Sequence, residues 1–200
     1  KYCGAVAVSR YANKNICYDS IKKLTDRGVN QINIHVMASE NTYDMVMETL
    51  HDRLTDPRME KLNAIVILSL KKRGRGKCFN TLSQEKFRNI VDFAMNNKIG
   101  LGFDSCSCHK FLEAIKGHKD FEKLNQLAEP CESFGIFSSY VDVNGVYFPC
   151  SFAGGQGEWQ EGIDVLKCDS FFKDVWTCDK TVKWRNISLS VGRKCPLFDV

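Results

Sequence analysis

The first 125 residues alternate between short apolar runs and segments in which apolar residues recur at helical spacing. The apolar runs are rich in β-branched residues, which is typical of buried strands. They predict strands at 5–9, 31–36, 64–70 and 99–103. Helical segments lie between them, and a repeated β-α order is typical of a parallel sheet whose strands are joined by crossover helices.

Helix boundaries follow from candidate caps and apolar stripes. Asp19 or Ser20 can cap a first helix that runs through Leu24, and Gly28 suits its C-terminal end. Further helices are expected over 42–54, after the cap Ser83, and over 109–116. The sequence therefore predicts an α/β fold with four β/α units.

The strand at 31–36 separates apolar from polar residues. Ile32, Ile34 and Val36 share one face, whereas Asn33 and His35 share the other. A barrel with a working interior can point polar groups inward, so we expect a partial TIM-like barrel. Two alternatives stay open: an open doubly wound sheet, which usually buries both faces of its strands, and an edge strand with a solvated face.

Beyond about residue 126 the periodicity shortens, and Gly, Cys and aromatic residues become frequent. Segments 137–143 and 146–148 flank Asn144-Gly145, which is typical of a β-hairpin. Residues 168–178 predict a short helix whose buried side consists of Phe171, Phe172 and Val175. We predict an α/β domain over 1–126, followed over 127–200 by a small cysteine-rich α+β domain that needs a cross-link, such as a bound metal, to be stable.

Composition and charge exclude several classes of protein. The apolar fraction of 44% and the charged fraction of 26% are ordinary for a folded domain, and no apolar stretch is long enough to span a bilayer. Nothing indicates secretion, so we expect a cytoplasmic protein. Residues 71–77 hold five positive charges and form either a solvated loop or an anion site. Nucleic acid is disfavoured as a partner because no aromatic residues interleave with these charges.

Ten cysteines are the strongest signal in the composition, and seven of them lie after residue 100. Disulfides usually compensate for a poor core, yet the cysteine-poor half has the pattern of a good core, so metal binding is favoured. The hairpin returns the chain, which lets Cys131 and Cys150 converge at its open end. Cys195 precedes Pro196, and Cys106 follows the last parallel strand, where such domains place their chemistry.

The spacing of Cys131, Gly145 and Cys150 resembles the opening motif of the SPASM and twitch domains of radical S-adenosylmethionine (SAM) enzymes. Those domains bind auxiliary [4Fe–4S] clusters. The resemblance extends through residues 150–152 to residues 193–196, and the β/α units are similar to the second half of the radical SAM partial barrel. It implies the C-terminal part of such a barrel, followed by a twitch-like domain with one auxiliary cluster.

The resemblance implies cluster ligands at Cys106, Cys131, Cys150 and Cys195, with Cys108 as the rival to Cys106. Zinc is the competing metal because four thiolates also suit a structural zinc site. The spacing across the hairpin exceeds the Cys-x2-Cys knuckles typical of zinc, which favours iron–sulfur. The other cysteines are expected to be buried free thiols: Cys3, Cys17, Cys78, Cys168 and Cys178.

The implied activity is reductive cleavage of SAM to a radical that attacks a peptide or small-molecule substrate, with an electron-donor protein as partner. Ser9, Asn33 and His35 correspond in position to residues that contact SAM, and the loop 71–77 would meet a SAM carboxylate or an acidic substrate. The second [4Fe–4S] cluster, which cleaves SAM, needs a Cys-x3-Cys-x2-Cys motif that we expect upstream of Lys1. The alternatives are a relative that no longer cleaves SAM and a non-catalytic iron–sulfur or zinc module.

Overall fold

The computed structural model of the chain describes residues 3–199, so residues 1–2 and Val200, at the ends of the two predicted domains, lie outside it. The chain divides into two compact units. The first ends at Ala128, and the second covers Glu129–Asp199.

The first unit alternates strands and helices as the apolar pattern predicts. Its strands are β1 (Ala5–Ser9), β2 (Gln31–Ala38), β3 (Ala64–Ser69) and β4 (Leu101–Phe103). Its α-helices are α1 (Lys14–Asp26), α2 (Tyr43–Thr55), α3 (Gln84–Asn96), α4 (Cys108–Ala114) and α5 (Phe121–Asn125). Short 3₁₀ helices occupy Glu40–Thr42, Pro57–Met59, Gly74–Cys78 and Ser105–Ser107.

The four strands form one parallel sheet in the order β1-β2-β3-β4. In the register, Ser9 lies opposite His35, and His35 lies opposite Val66. Because β2 is paired on both sides, the edge-strand alternative for it is wrong. The described strands follow chain order without the reversal that a doubly wound sheet requires, so the α/β class with a parallel sheet is confirmed and the doubly wound alternative is not.

The core of the first unit lies between one face of this sheet and the helices. Ile32, Ile34 and Val36 are fully buried, whereas Asn33 and His35 on the opposite face are half-buried. On the helix side, α3 buries its predicted stripe of Phe87, Ile90, Val91 and Ala94. Burial of a large apolar side chain such as Phe87 or Ile90 stabilises the fold by about 1.5–3 kcal/mol. The apolar face of the sheet is therefore committed to the core, and the face that carries Asn33 and His35 remains for function.

The first helix begins earlier than the sequence indicated. α1 starts at Lys14 because the Asn13 side chain accepts a hydrogen bond from Asn15 N at 3.1 Å, so the prediction of a cap at Asp19 or Ser20 was wrong. An asparagine two residues after the exposed Tyr11 gives little pattern to recognise. The cap at Ser83 is confirmed, since its Oγ accepts from Lys86 N at 3.3 Å.

The second unit has little regular structure. Its strands β5 (Tyr140–Val141), β6 (Val146–Phe148) and β7 (Ile163–Asp164) form an antiparallel sheet in that order. A π-helix covers Phe171–Trp176, and α6 covers Asp179–Ser190. In the π-helix only Val175 is buried, while Phe171 and Phe172 are exposed, because a π-helical turn places these residues on different faces.

The predicted hairpin is present, with a longer loop than the Asn-Gly pair suggested. Gly145 N donates to Asp142 O at 3.0 Å, and Asp142 Oδ1 accepts from Asn144 N and Val146 N. Within residues 143–145 only Gly145 has a positive φ, of 78°, so the hairpin has a three-residue turn that ends in a left-handed glycine. A Cβ at Gly145 would lie 2.7 Å from Leu166 Cγ, so the position has no room for a side chain.

Within residues 3–199, no helix combines the length and the apolar character needed to cross a membrane.

Candidate functional site

Three of the four predicted ligand cysteines come together in the second unit. Burial is the main cause that raises the pKa of the Cys131 and Cys195 thiols, and ionisation of a neighbouring cysteine would raise it further: Cys150 acts on Cys131, and both act on Cys195. The three sulfurs therefore lie within electrostatic range of one another. Cys131 is 6% exposed, and Cys150 and Cys195 are half-buried. The sequence places these residues up to 64 positions apart, so their grouping is a property of the fold.

Backbone hydrogen bonds join the segments that carry the three cysteines. Phe134 N donates to Pro149 O at 2.8 Å, which links the Cys131 segment to the residue before Cys150. Cys131 N donates to Arg193 O at 3.3 Å, and Arg193 Nε donates back to Cys131 O at 2.8 Å. Phe134 and Arg193 both have positive φ, of 62° and 60°, an uncommon conformation for residues other than glycine.

Each thiol of this group accepts a backbone N–H from the residue two positions later. Phe152 N lies 3.5 Å from Cys150 Sγ, and the amides of Ser133 and Leu197 serve Cys131 and Cys195. Burial raises the pKa of the Cys131 and Cys195 thiols, and these amide donors oppose that rise because they stabilise the thiolate. Amide donors to sulfur are a feature of iron–sulfur sites.

The group does not have the geometry of a site for a single ion. Among the described residues, no set of three or more His, Cys, Asp or Glu side chains is arranged to hold one metal ion. A structural zinc site needs its ligands at about 2.0–2.3 Å from one centre. In an iron–sulfur cluster each thiolate binds a different iron, so the sulfurs can stand further apart.

Cys106 and its rival Cys108 belong to the first unit, at the carboxyl end of β4. Cys108 is fully buried as the first residue of α4, whereas Cys106 is half-buried in the preceding turn and hydrogen-bonds Lys71. Burial alone lowers the pKa of Lys71, but Asp104 and Cys106 raise it, and the net change is upward. Cys106 therefore has the ammonium group of Lys71 as a cationic neighbour.

Asp104 organises this end of the sheet. Its Oδ2 lies 2.5 Å from Lys71 Nζ, and its Oδ1 accepts from Ser69 N, Ser107 N and Ser107 Oγ. The Lys71 side chain is only 6% exposed, so the first residue of the basic run 71–77 is a buried partner of Asp104 and not part of a solvated loop.

A cavity of about 970 Å³ opens at the carboxyl ends of β1, β2 and β3, where parallel α/β folds place their ligands. Two of the three residues predicted to contact SAM, Ser9 and His35, line it. Asn33 is not among its lining residues, and its Oδ1 accepts a hydrogen bond from Asn63 Nδ2 at 2.9 Å. The loop 71–77 contributes Arg75 and Gly76 to the wall.

Arg10 is the functional candidate that the sequence did not reveal. It directly follows β1, lines the cavity and is 3% exposed. A network of charged side chains holds it: Arg10 Nη2 contacts Glu48 at 2.7 Å, Glu48 contacts Lys14 at 2.9 Å, and Lys14 contacts Asp52 at 2.9 Å. No local pattern of the sequence marks Arg10, because β1 is an edge strand whose residues are exposed or half-buried.

The remaining cysteines differ in exposure. Cys17 is buried as expected, and burial raises its pKa to about 11. Cys3 and Cys78 are exposed, so the expectation of burial was wrong for them; both lie in or next to connecting segments. Cys168 and Cys178 are half-buried, and each thiol donates to a nearby backbone carbonyl.

Comparison with protein-family models, with curated proteins and with solved structures gives no match. What this chain binds therefore has to be inferred from its own side chains and their arrangement.

Proposed function

We propose that the second unit holds an auxiliary [4Fe–4S] cluster on Cys131, Cys150 and Cys195, and that the chain is the corresponding part of a radical SAM enzyme. One observation carries the proposal: three thiols from distant segments lie within electrostatic range, and each accepts a backbone N–H. Structural free thiols have no need of such donors, because a neutral thiol is a weak acceptor. A thiolate bound to iron, in contrast, is stabilised by such N–H donors.

The cysteine group fits a cluster better than it fits zinc. In residues 3–199, no three Cys, His, Asp or Glu side chains are arranged to hold one metal ion, which a zinc site requires and a cluster of several irons does not. The second unit contributes three thiolates to the proposed site. Cys106, the fourth predicted ligand, stays a prediction; its partner Lys71 would stabilise its thiolate.

The residues around the group would keep water out and fix the ligands. Pro149 offers no N–H and holds the backbone before Cys150, while its carbonyl is taken by Phe134 N. Arg193 fixes the Cys131 segment through two carbonyls, those of Pro130 and Cys131. When bound, the cluster would supply a site that accepts or donates one electron.

The first unit fits the cofactor-binding half of such an enzyme. Its sequential parallel strands are consistent with the C-terminal part of a partial barrel, and its cavity opens at the carboxyl edge. Ser9 and His35 would contact SAM there. The sequence contains no Cys-x3-Cys-x2-Cys motif, so we do not assign cleavage of SAM to these residues alone.

Anaerobic reconstitution with ferrous iron and sulfide tests the proposal. The wild-type chain should take up about four iron and four sulfide, with charge-transfer absorption in the visible region and an electron paramagnetic resonance signal after reduction. Cys150→Ser and Cys195→Ser should lose most of the iron.

Cys78→Ser is the matched control, because Cys78 is exposed and belongs to the first unit. It should bind iron as the wild type does. Full iron content in Cys150→Ser would overturn the ligand set, and stoichiometric zinc without iron in the purified protein would replace the cluster by a zinc module. Iron content of Cys106→Ser tests that fourth ligand by the same measurement.

A further inference from the structure

A buried guanidinium in the first unit has unused hydrogen-bond donors. Arg10 is 3% exposed and lines the cavity at the carboxyl ends of β1, β2 and β3. Its Nη2 donates to Glu48 and its guanidinium lies over the Tyr18 ring, 5.8 Å from the ring centroid, whereas Nε and Nη1 have no acceptor in hydrogen-bond geometry within residues 3–199. Buried donors on a charged group are costly to leave unpaired, so such an arrangement indicates an acceptor that binds from outside the chain.

We propose that this cavity binds a small molecule through a carboxylate that accepts hydrogen bonds from Arg10. The apolar or aromatic remainder of the ligand would lie against the cavity wall. This site belongs to the first unit, and the inference does not depend on the cysteine group of the second.

The charges around Arg10 favour a carboxylate over a phosphate. Arg10 and Lys14 are offset by Glu48 and Asp52, so the network has no net charge. Arg75, also on the wall, forms no ion pair with any described residue and supplies one further positive charge. Because the carboxylates of Asp44 and Glu48 also line the cavity, a phosphate dianion would meet more repulsion than a monoanion.

The rest of the wall suits an apolar body of drug-like size. A volume of about 970 Å³ is at the upper end of the range for small-molecule sites. Its apolar lining includes Tyr11, Met37, Met45, Leu68, Leu70 and Phe79. Methionines adapt to irregular ligand shapes, and the two rings can stack on a planar group.

A carboxylate could come from two sources, the amino-acid end of SAM or a carboxylate-bearing substrate. Three probes separate them in calorimetric titrations of the full 200-residue chain. S-adenosylhomocysteine carries both nucleoside and carboxylate, and its use rests on the proposed function. 5′-Methylthioadenosine keeps the nucleoside without the carboxylate. 3-Phenylpropionate carries a carboxylate without a nucleoside.

Arg10→Gln should weaken binding of the carboxylate probes about tenfold to hundredfold, because it removes a charge-assisted hydrogen bond, and should leave 5′-methylthioadenosine unaffected. Arg58→Gln is the matched control: Arg58 pairs with Asp56 and Asp19 and is not among the cavity residues. It should bind all probes as the wild type does.

Glu48→Gln keeps the proposal testable if Arg10→Gln does not fold. It removes the anion paired with Arg10, so carboxylate binding should become several-fold tighter while 5′-methylthioadenosine binding stays constant. Arg10-dependent binding of S-adenosylhomocysteine alone would identify the cofactor as the source, and that of 3-phenylpropionate would identify a substrate.

Two results would overturn the proposal. One is that Arg10→Gln weakens binding equally for the probes with a carboxylate and for the probe without one, which would make Arg10 a structural residue. The other is no binding of either carboxylate at millimolar concentration. Iron uptake by the second unit is measured separately, so failure here is distinguishable from failure of the proposed cluster.

Discussion

The hydroxyl of Tyr18 lies at the buried end of the charged network that joins α1 to α2. It donates to Asp52 Oδ2 at 2.8 Å, and Lys14 donates to the same oxygen at 2.9 Å. Tyr18 is fully buried, and burial, reinforced by the Asp52 carboxylate, raises its pKa to about 12. The neutral phenol is therefore part of what holds the helix pair in place beside Arg10.

Stability at high pH should depend on Tyr18. In the unfolded chain the phenol ionises near pH 10, whereas in the folded chain it does so near pH 12. Its contribution is therefore complete below pH 10 and is lost as the pH rises toward 12, with a slope of up to about 1.4 kcal/mol per pH unit.

Tyr18→Phe removes both the hydrogen bond and the titration. We expect it to be about 1 kcal/mol less stable at neutral pH and to lose less stability above pH 10 than the wild type. Urea unfolding of both proteins across this pH range measures the difference, in which the other tyrosines cancel. Parallel pH profiles would show that Tyr18 is not the titrating group.

At the scale of elements, the carboxyl ends of β3 and β4 are held together by Asp104. One carboxylate bonds the backbone at the end of β3, the turn that follows β4 and the buried ammonium of Lys71. A buried charge without its partner is destabilising. Replacing only one member of the Asp104–Lys71 pair should therefore lower the stability more than replacing both.

Asp104→Ala should cost about 3–5 kcal/mol, because Lys71 keeps its charge at a site where its side chain is 6% exposed. Adding Lys71→Met should restore part of that loss, as the unpaired charge disappears. Asp26→Ala breaks the exposed Lys22–Asp26 pair and should change stability by about 0.5 kcal/mol or less. Chemical denaturation measures all three; equal costs for the single and double variants would contradict the explanation.

The strands and helices of the first unit were predictable because their apolar residues are the residues that the fold buries. The strictly alternating β2 and the stripe of α3 both pack their apolar side into the core. Of the candidate site, the cysteine spacing indicated Cys131, Cys150 and Cys195, but no local pattern indicated Arg10, whose role comes from Glu48 and the cavity around it.

Helix α6 could not be predicted in this way. Its apolar residues fall on opposite sides of the helix, Val182 and Leu189 on one and Trp184 and Ile187 on the other. Its fully buried residues are Thr181 and Ser188, on the same stripe as Arg185, which donates to Gly135 O and Trp176 O. A helix that buries a polar stripe has no amphipathic signal in its sequence.

At the scale of the whole molecule, the two units have very unequal cores. The first unit buries apolar residues from its strands and from α1 to α4. The buried cluster of the second consists of Tyr147, Ala153, Trp159 and Val175. A domain of this size with so small a core rarely gains more than about 3–5 kcal/mol from it, which is why a cluster on three cysteines would matter for folding as well as for chemistry.

Removal of the proposed cluster should therefore destabilise the second unit and leave the first unchanged. All three tryptophans, Trp159, Trp176 and Trp184, belong to the second unit, so their fluorescence reports its unfolding, while circular dichroism at helical wavelengths is dominated by α1 to α5. In urea titrations of the reconstituted chain, treatment with a chelator and an oxidant should lower the fluorescence midpoint by about 1 M or more, because a ligand bound well above its dissociation constant contributes about 3 kcal/mol.

The dichroism midpoint should stay in place, and Cys150→Ser should show no further change on chelation. A common shift of both signals would mean that the two cores unfold as one, and no shift would mean that the second unit does not need the metal to fold.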